Sequence, residues 1–304
     1  MSRYLDPKND LTFKRVFGEH KHLCMSLLNS LLPLTQPIVS IEYEPNEMVP
    51  VKPEYKNSLV DVSCVDAIGR RFIVEMQMLW TDSFMSRMLL NASKALVRQL
   101  GKGEEFEELQ PVYALSLVNR NFRKDTEEHY HRYLITDVAA VDQQIKGMEF
   151  VFVELPKFKA KNITERRLQI LWLRYLTEIN EATESAPADL VANAEVKEAM
   201  ECVERFSYTE AELIAYEKFR DAVMTHRSML RDSEKVGAKK KAFSVTANLL
   251  KKGMSVSEIA EVTGLSEAEI WGLKRQSPSE VAQLTGLGEA EVLELIENLN
   301  QLPQ

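Results

Sequence analysis

Two carboxylates and an amide stand where apolar strand is expected. Residues 70–79, RRFIVEMQML, carry Glu75 and Gln77 one residue apart, and residues 58–67, SLVDVSCVDA, carry Asp61. Side chains alternate along a strand, so Glu75 and Gln77 share a face. If the two runs pair as an antiparallel hairpin turning near Ile68-Gly69, Asp61 falls opposite Glu75, at a separation of about 5 Å. Two carboxylates so placed repel each other and are costly to bury unless something positive lies between them. A divalent cation meets that need, because magnesium takes oxygen ligands from one or two carboxylates and completes its octahedron with water and phosphate. Gln77, on the same face, is placed to hold an attacking water. The plainer alternative is a hairpin with one polar face in water. Against it, Phe72, Ile73, Val74, Met76, Met78 and Leu79 make both faces apolar.

The surrounding elements must bring these side chains together. KNDLTFKRVFG (8–18) reads as a short amphipathic helix ended by Gly18, and a second helix covers 20–32, stopped before Pro33. PIVSIEYE (37–44) alternates as a strand, and EPNEMVPVKPEYKN, with its three prolines, is loop. A long helix is predicted over 82–102, carrying Arg87, Lys94 and Arg98 on a side that could meet a phosphate backbone. PVYALSLVN (111–119) is apolar enough for the centre of a sheet, and strands near 129–137 and 148–155 follow. From 163 to 230 the chain reads as helices, with a break at EATESAPADL (181–190).

Composition is that of a folded globular chain, with 45% hydrophobic and 28% charged residues over 304 positions. No apolar run approaches the roughly 18 residues of a membrane span. The opening MSRYLDPKNDLTFKRVF lacks the continuous apolar segment of a signal peptide. Cys24, Cys64 and Cys202 are odd in number and far apart, which suits a reducing cytoplasm better than a disulfide framework or a zinc site. The pairs His20/His22 and His129/His131 find no third ligand in sequence and are expected to be solvated. The net charge of −8 sits almost wholly in residues 254–304, where nine acids face two bases. The rest is nearly neutral, and a neutral body is compatible with a local basic groove for DNA.

That acidic tail contains a repeat: SVSEIAEVTGLSEAEI (255–270) matches SPSEVAQLTGLGEAEV (277–292). Each copy reads as helix, Thr-Gly-Leu turn, helix. The form resembles a helix-turn-helix, but Glu267 and Glu269 at the start of its second helix would repel phosphates. A protein-interaction module is the better reading, serving oligomerisation or covering a basic face of the body as a phosphate mimic. Just before it, Lys239–Lys241, Lys251 and Lys252 form a basic patch.

Four blocks in order, DLTFKRVFG (10–18), VDVSCVDAIGRRFIVEMQM (60–78), VFVELPKF (151–158) and WLRYL (172–176), resemble the PD-(D/E)XK nuclease superfamily. Within it they are similar to the bacterial recombination-promoting nucleases, also called PD-(D/E)XK nuclease family transposases. The resemblance implies an α/β, restriction-endonuclease-like core, a mixed central sheet flanked by helices, followed by an all-α C-terminal part. The expected organisation is a nuclease core over 1–160, a helical extension over 161–235, and a basic linker with the acidic helical tail over 236–304. The implied activity is Mg2+-dependent DNA endonuclease, with Mn2+ as substitute and Asp61 and Glu75 as metal ligands. Gln77 takes the position where the superfamily usually has lysine, and Val60 stands where the motif has proline. A glutamine hydrogen-bonds but carries no charge, so water activation rests more on the metal. Asp10 and Lys14, one helical turn apart, are either an outer metal or phosphate contact or a surface ion pair. Lys94, Arg98, Lys157, Lys159 and Lys161 are further candidates for DNA contact. The expected partners are DNA, a second copy through the C-terminal helices, and a short inhibitory product from an internal start at Met224, Met229 or Met254. An inactive nuclease fold used for DNA binding or assembly, and a transposase performing strand transfer, are the rival readings.

Overall fold

The computed structural model describes residues 2–48, 56–160 and 167–274, with 278, 279, 282, 288–290, 292 and 293. The chain divides into two compact units, residues 1–223 and 224–304.

The first unit is built on a mixed six-stranded sheet in the order β1-β2-β3-β4-β6-β5. The strands are β1 (Ile41–Tyr43), β2 (Val62–Asp66), β3 (Arg71–Gln77), β4 (Val112–Val118), β5 (Tyr130–Thr136) and β6 (Gln144–Glu154). β1–β2 and β2–β3 pair antiparallel, β3–β4 and β4–β6 pair parallel, and β5 closes the far edge antiparallel to β6. A parallel pair needs a crossover. Between β3 and β4 that crossover contains helix α3 (Phe84–Val97), preceded in the chain by α1 (Asp10–Glu19) and α2 (Lys21–Leu31).

Alternation assigns the two faces. Val62, Cys64, Phe72, Val74, Leu115, Leu117, Val151 and Val153 join Phe13, Phe17, Leu23 and Leu27 of α1 and α2. The same core takes Trp172 and Tyr175 of α4 (Arg167–Glu178), beyond which lie α5 (Ala188–Val191) and α6 (Ala194–Cys202). On the other face Ile73, Ala114, Val118 and Phe152 pack under Phe84, Met88, Ala92 and Ala95 of α3. Trp172 is fully buried, and its indole donates to Ser26 Oγ at 3.0 Å, which satisfies the one polar atom of that ring.

The hairpin joining β2 and β3 is set by local chemistry. Asp66 Oδ1 accepts from the amides of Ile68 and Arg70 at 3.2 and 2.9 Å, and Gly69 takes the positive φ of 86° that the turn requires. The Arg70 Nε donates to Asp66 Oδ2 at 2.6 Å, and its Nη1 donates to Gln36 O at 2.9 Å. The register that results pairs Val62 with Val74.

Several elements differ from expectation in extent. β1 covers residues 41–43 of the predicted 37–44, because the chain ahead of it leaves Val39 exposed and unpaired in the ladder. β6 starts at Gln144, ahead of the predicted 148, since its polar first residues still pair with β5 outside the core. α3 ends at Val97 rather than 102. The helix α7 (Glu210–Lys251) runs 42 residues and includes Lys239–Lys241.

In the second unit, Phe243 and Ala247 of α7 pack with Val256 and Ile259 of α8 (Val256–Thr263) and Ile270 and Leu273 of α9 (Glu267–Lys274). Ser255 and Glu258 form a capping box, and Gly264, at φ 71°, ends α8. The predicted helix-turn-helix of the first repeat copy is thus α8 and α9, while much of the second copy lies outside the described residues. Among the described residues no helix is long and apolar enough to cross a membrane.

Candidate active site

The chain bends at Asp61, one residue before β2 begins. Its backbone carbonyl accepts from Asn46 Nδ2 at 2.8 Å, and its carboxylate Oδ2 accepts from the Met76 amide of β3 at 2.7 Å. A side chain thereby makes the bond that continues the ladder. One step beyond the Val62–Val74 pair, Asp61 faces Glu75. The side chains are 15% and 6% exposed.

Two cations flank the acids from different helices. Lys14 of α1 lies 2.6 Å from Asp10 Oδ1 and 3.8 Å from Asp61 Oδ1. The i,i+4 ion pair and the approach to the acidic site therefore coexist in one lysine. Arg87, in the first turn of α3, donates from Nη2 to Gln77 Oε1 at 2.7 Å and lies 3.8 Å from Glu75 Oε2. The Gln77 amide donates to Leu79 O. Both ends of the glutamine are thus used, which fixes its orientation.

Burial dominates the electrostatics. It pushes Asp61 up to about 6, against the Met76 hydrogen bond and the Lys14 charge. It pushes Glu75 up to about 8, with the neighbouring Asp61 charge adding to it and Arg87 opposing. The pair therefore holds a proton near neutrality in the absence of another cation. Burial also works to lower Lys14, but its hydrogen bond to Asp10 and the charges of Asp10, Asp61 and Glu75 keep it above the ordinary lysine value.

Two neighbouring oxygens at the site have no hydrogen-bond partner. Glu75 Oε1 is buried and accepts no hydrogen bond, and the same is true of Ser116 Oγ, the residue paired with Glu75 on β4. A buried carboxylate oxygen left open, beside a second carboxylate, is the donor chemistry of a hard cation. Among the described residues no three His, Cys, Asp or Glu side chains gather, so a cation held by Asp61 and Glu75 would take its other ligands from water and substrate.

The other basic candidates are placed differently. Lys94 Nζ donates to Met48 O, Lys56 O and Ser58 Oγ at 2.9, 2.7 and 3.0 Å, and Arg98 Nη1 approaches Glu47 O at 3.5 Å. Both hold the segment that leads to Asp61. Lys157 is buried against Glu154 at 3.0 Å and donates to Thr126 O at 2.8 Å. Lys159 is exposed, and Lys161 lies outside the described residues.

Two residues at the sheet's carboxyl edge carry signals that sequence reading passed over. Ser116 is the hydroxyl in the middle of YALSLV. Glu154 closes the apolar run VFVE and is fully buried, accepting from the amides of Phe122 and Arg123 at 2.9 and 3.3 Å, and bonding His131 Nε2 at 2.8 Å. It shares a row with Gln77 and Val118 across three strands, roughly 10 Å from Gln77 by strand spacing. Glu154 thus braces the loop after β4 rather than joining the acidic pair.

A family model described as PD-(D/E)XK nuclease family transposase matches residues 7–233. No curated protein and no solved structure matches the chain.

Proposed function

The chain belongs to the PD-(D/E)XK nuclease family transposases, and on that footing we propose that it is a divalent-cation-dependent DNA endonuclease acting through Asp61, Glu75 and Gln77. The observation that supports this most is the buried Asp61–Glu75 pair with Glu75 Oε1 left without a partner. Asp61 and Glu75 would hold the cation, magnesium in the native reaction and manganese in its place. When bound, it lowers the pKa of a coordinated water and offsets charge on the phosphate. Asp61 is held in place by the Met76 amide, and Gln77 by Arg87 and Leu79 O, so the donors are oriented before substrate arrives. Lys14 and Arg87, each nearly half exposed, present positive charge at the rim, where a phosphodiester backbone would approach.

A fold kept for binding alone would gain stability by losing this acidic pair, because each buried carboxylate that ionises there is costly. That argument favours the enzyme over the inactive reading. Strand transfer requires joining as well as cutting. Self-association through the C-terminal helices, and restraint by the acidic tail or by a short product from an internal start, belong to the same proposal.

The test is cleavage of supercoiled plasmid by the full chain with magnesium, beside a metal-free control and Asp61→Ala. Metal-dependent nicking or linearisation by wild type alone is expected. Equal cleavage by Asp61→Ala would remove the assignment of this site, and joined products would favour strand transfer.

A further inference from the structure

On the strand face that bears Glu75 the cation of β3, Arg71, is paired with Glu44 at 3.2 Å at the far end of the strand, and none stands beside Glu75. Gln77 is neutral, and Ser116 and Val118, its neighbours on β4, are neutral too. Positive charge arrives at this position from outside the sheet. Arg87 Nη2 is 2.7 Å from Gln77 Oε1, so a full positive charge sits one hydrogen bond from the amide. The guanidinium lies over the Phe84 ring, 4.9 Å from its centroid, and Phe84 is itself 1% exposed, a fixed support. With 44% of the side chain exposed, Arg87 spans from the buried acid to solvent. Lys14 stands on the other flank, beside Asp10 and Asp61.

We infer that Arg87 is a catalytic residue, supplying from α3 the charge that position 77 lacks. This rests on the nuclease reading above. In phosphodiester hydrolysis, water adds to phosphorus, one bridging P–O bond breaks, and the leaving oxygen takes up a proton. Negative charge gathers on the non-bridging oxygens on the way. Gln77 cannot neutralise that charge, whereas a guanidinium binds two such oxygens at once. Gln77 is then the bracket that aims Arg87, with its own amide anchored on Leu79 O. The 3.8 Å approach of Arg87 to Glu75 has a second consequence. Arg87 opposes entry of a cation, so its role in metal binding and its role in the reaction have opposite signs.

That opposition gives the experiment. Single-turnover cleavage at saturating manganese is compared for wild type, Arg87→Gln, Gln77→Lys and the double variant, and manganese binding is followed separately by electron paramagnetic resonance. Arg87→Gln is expected to slow cleavage by about 100-fold while binding manganese at least as tightly as wild type. Adding Gln77→Lys to Arg87→Gln is expected to restore about 10-fold, because charge is returned to the same place from the strand. Arg87→Lys, which keeps charge without the fork, should fall between. Arg87→Gln cleaving at the wild-type rate would overturn the inference, as would a rate loss matched by weaker manganese binding, or a double variant no faster than Arg87→Gln. Asp61→Ala, run alongside, separates the two readings. If it is inert while Arg87→Gln is fully active, Arg87 alone is displaced; if it cleaves like wild type, or wild type does not cleave, both fall.

Discussion

Asp61 accepts the backbone amide of Met76 at 2.7 Å, so a side chain completes a ladder bond between β2 and β3. The same carboxylate is therefore a structural acceptor and a candidate metal ligand. Asp61→Asn keeps an acceptor and removes a charge from beside Glu75. Asp61→Ala removes both and leaves the amide without its partner. In metal-free buffer at pH 8, Asp61→Asn is expected to be more stable than Asp61→Ala by about 1 kcal/mol, measured by urea denaturation. Equal stability would mean that the Met76 bond contributes nothing net.

Glu75 sets a pH dependence whose sign is unusual for a carboxylate. Its folded value, about 8, lies above its ordinary 4.5, so the folded chain holds the proton more tightly than the unfolded one. The stability this provides is complete below pH 4.5 and is lost as pH rises toward 8. Metal-free wild type should lose on the order of 4 kcal/mol across that window relative to Glu75→Gln. Thermal melts of both proteins from pH 5 to 9 measure it. Manganese should restore wild type by about 2.7 kcal/mol at 100 times its dissociation constant, and should leave Glu75→Gln unmoved.

Asp66 and Arg70 hold the turn that sets the register, with side chains 3% and 8% exposed and 2.6 Å apart. Arg70→Ala should cost about 3–5 kcal/mol, because it strands a buried carboxylate. Asp66→Asn leaves an acceptor for the Ile68 and Arg70 amides and should cost less. Urea midpoints at constant slope give the comparison, and a smaller loss for Arg70→Ala would show that the two amides alone satisfy Asp66.

Glu154 is buried like Glu75, but its four partners differ in kind from the neighbours of Glu75. Glu154→Gln should destabilise the fold by about 3 kcal/mol, because the buried Lys157 charge loses its carboxylate and keeps only the Arg123 and Thr126 carbonyls. It should also speed amide exchange at Phe122 and Arg123, and leave manganese affinity unchanged. A change in that affinity would place Glu154 in the metal site after all.

Sequence reading located the acidic pair because the evidence was local. Period-two alternation put Glu75 and Gln77 on one face, and a turn near Ile68-Gly69 fixed which residue opposed Glu75. What it missed depends on distance in the chain. Lys94 looks solvated from its helix, yet its ammonium is consumed by three oxygens 36 to 46 residues away. The bond from Arg87 to Gln77 links a helix to a strand, and neither periodicity contains it. The length of α7 was hidden because charged residues surround most of it, and Tyr216, Phe243, Thr246 and Ala247 are its fully buried positions among the described residues.

Lys94 has one more consequence. Its ammonium ties Met48 O, Lys56 O and Ser58 Oγ to α3, the same helix that carries Arg87. Through Lys94 that helix anchors residues ahead of Asp61, and through Arg87 it reaches Glu75 and Gln77. A shift of this one helix would therefore be felt at both candidate acids together.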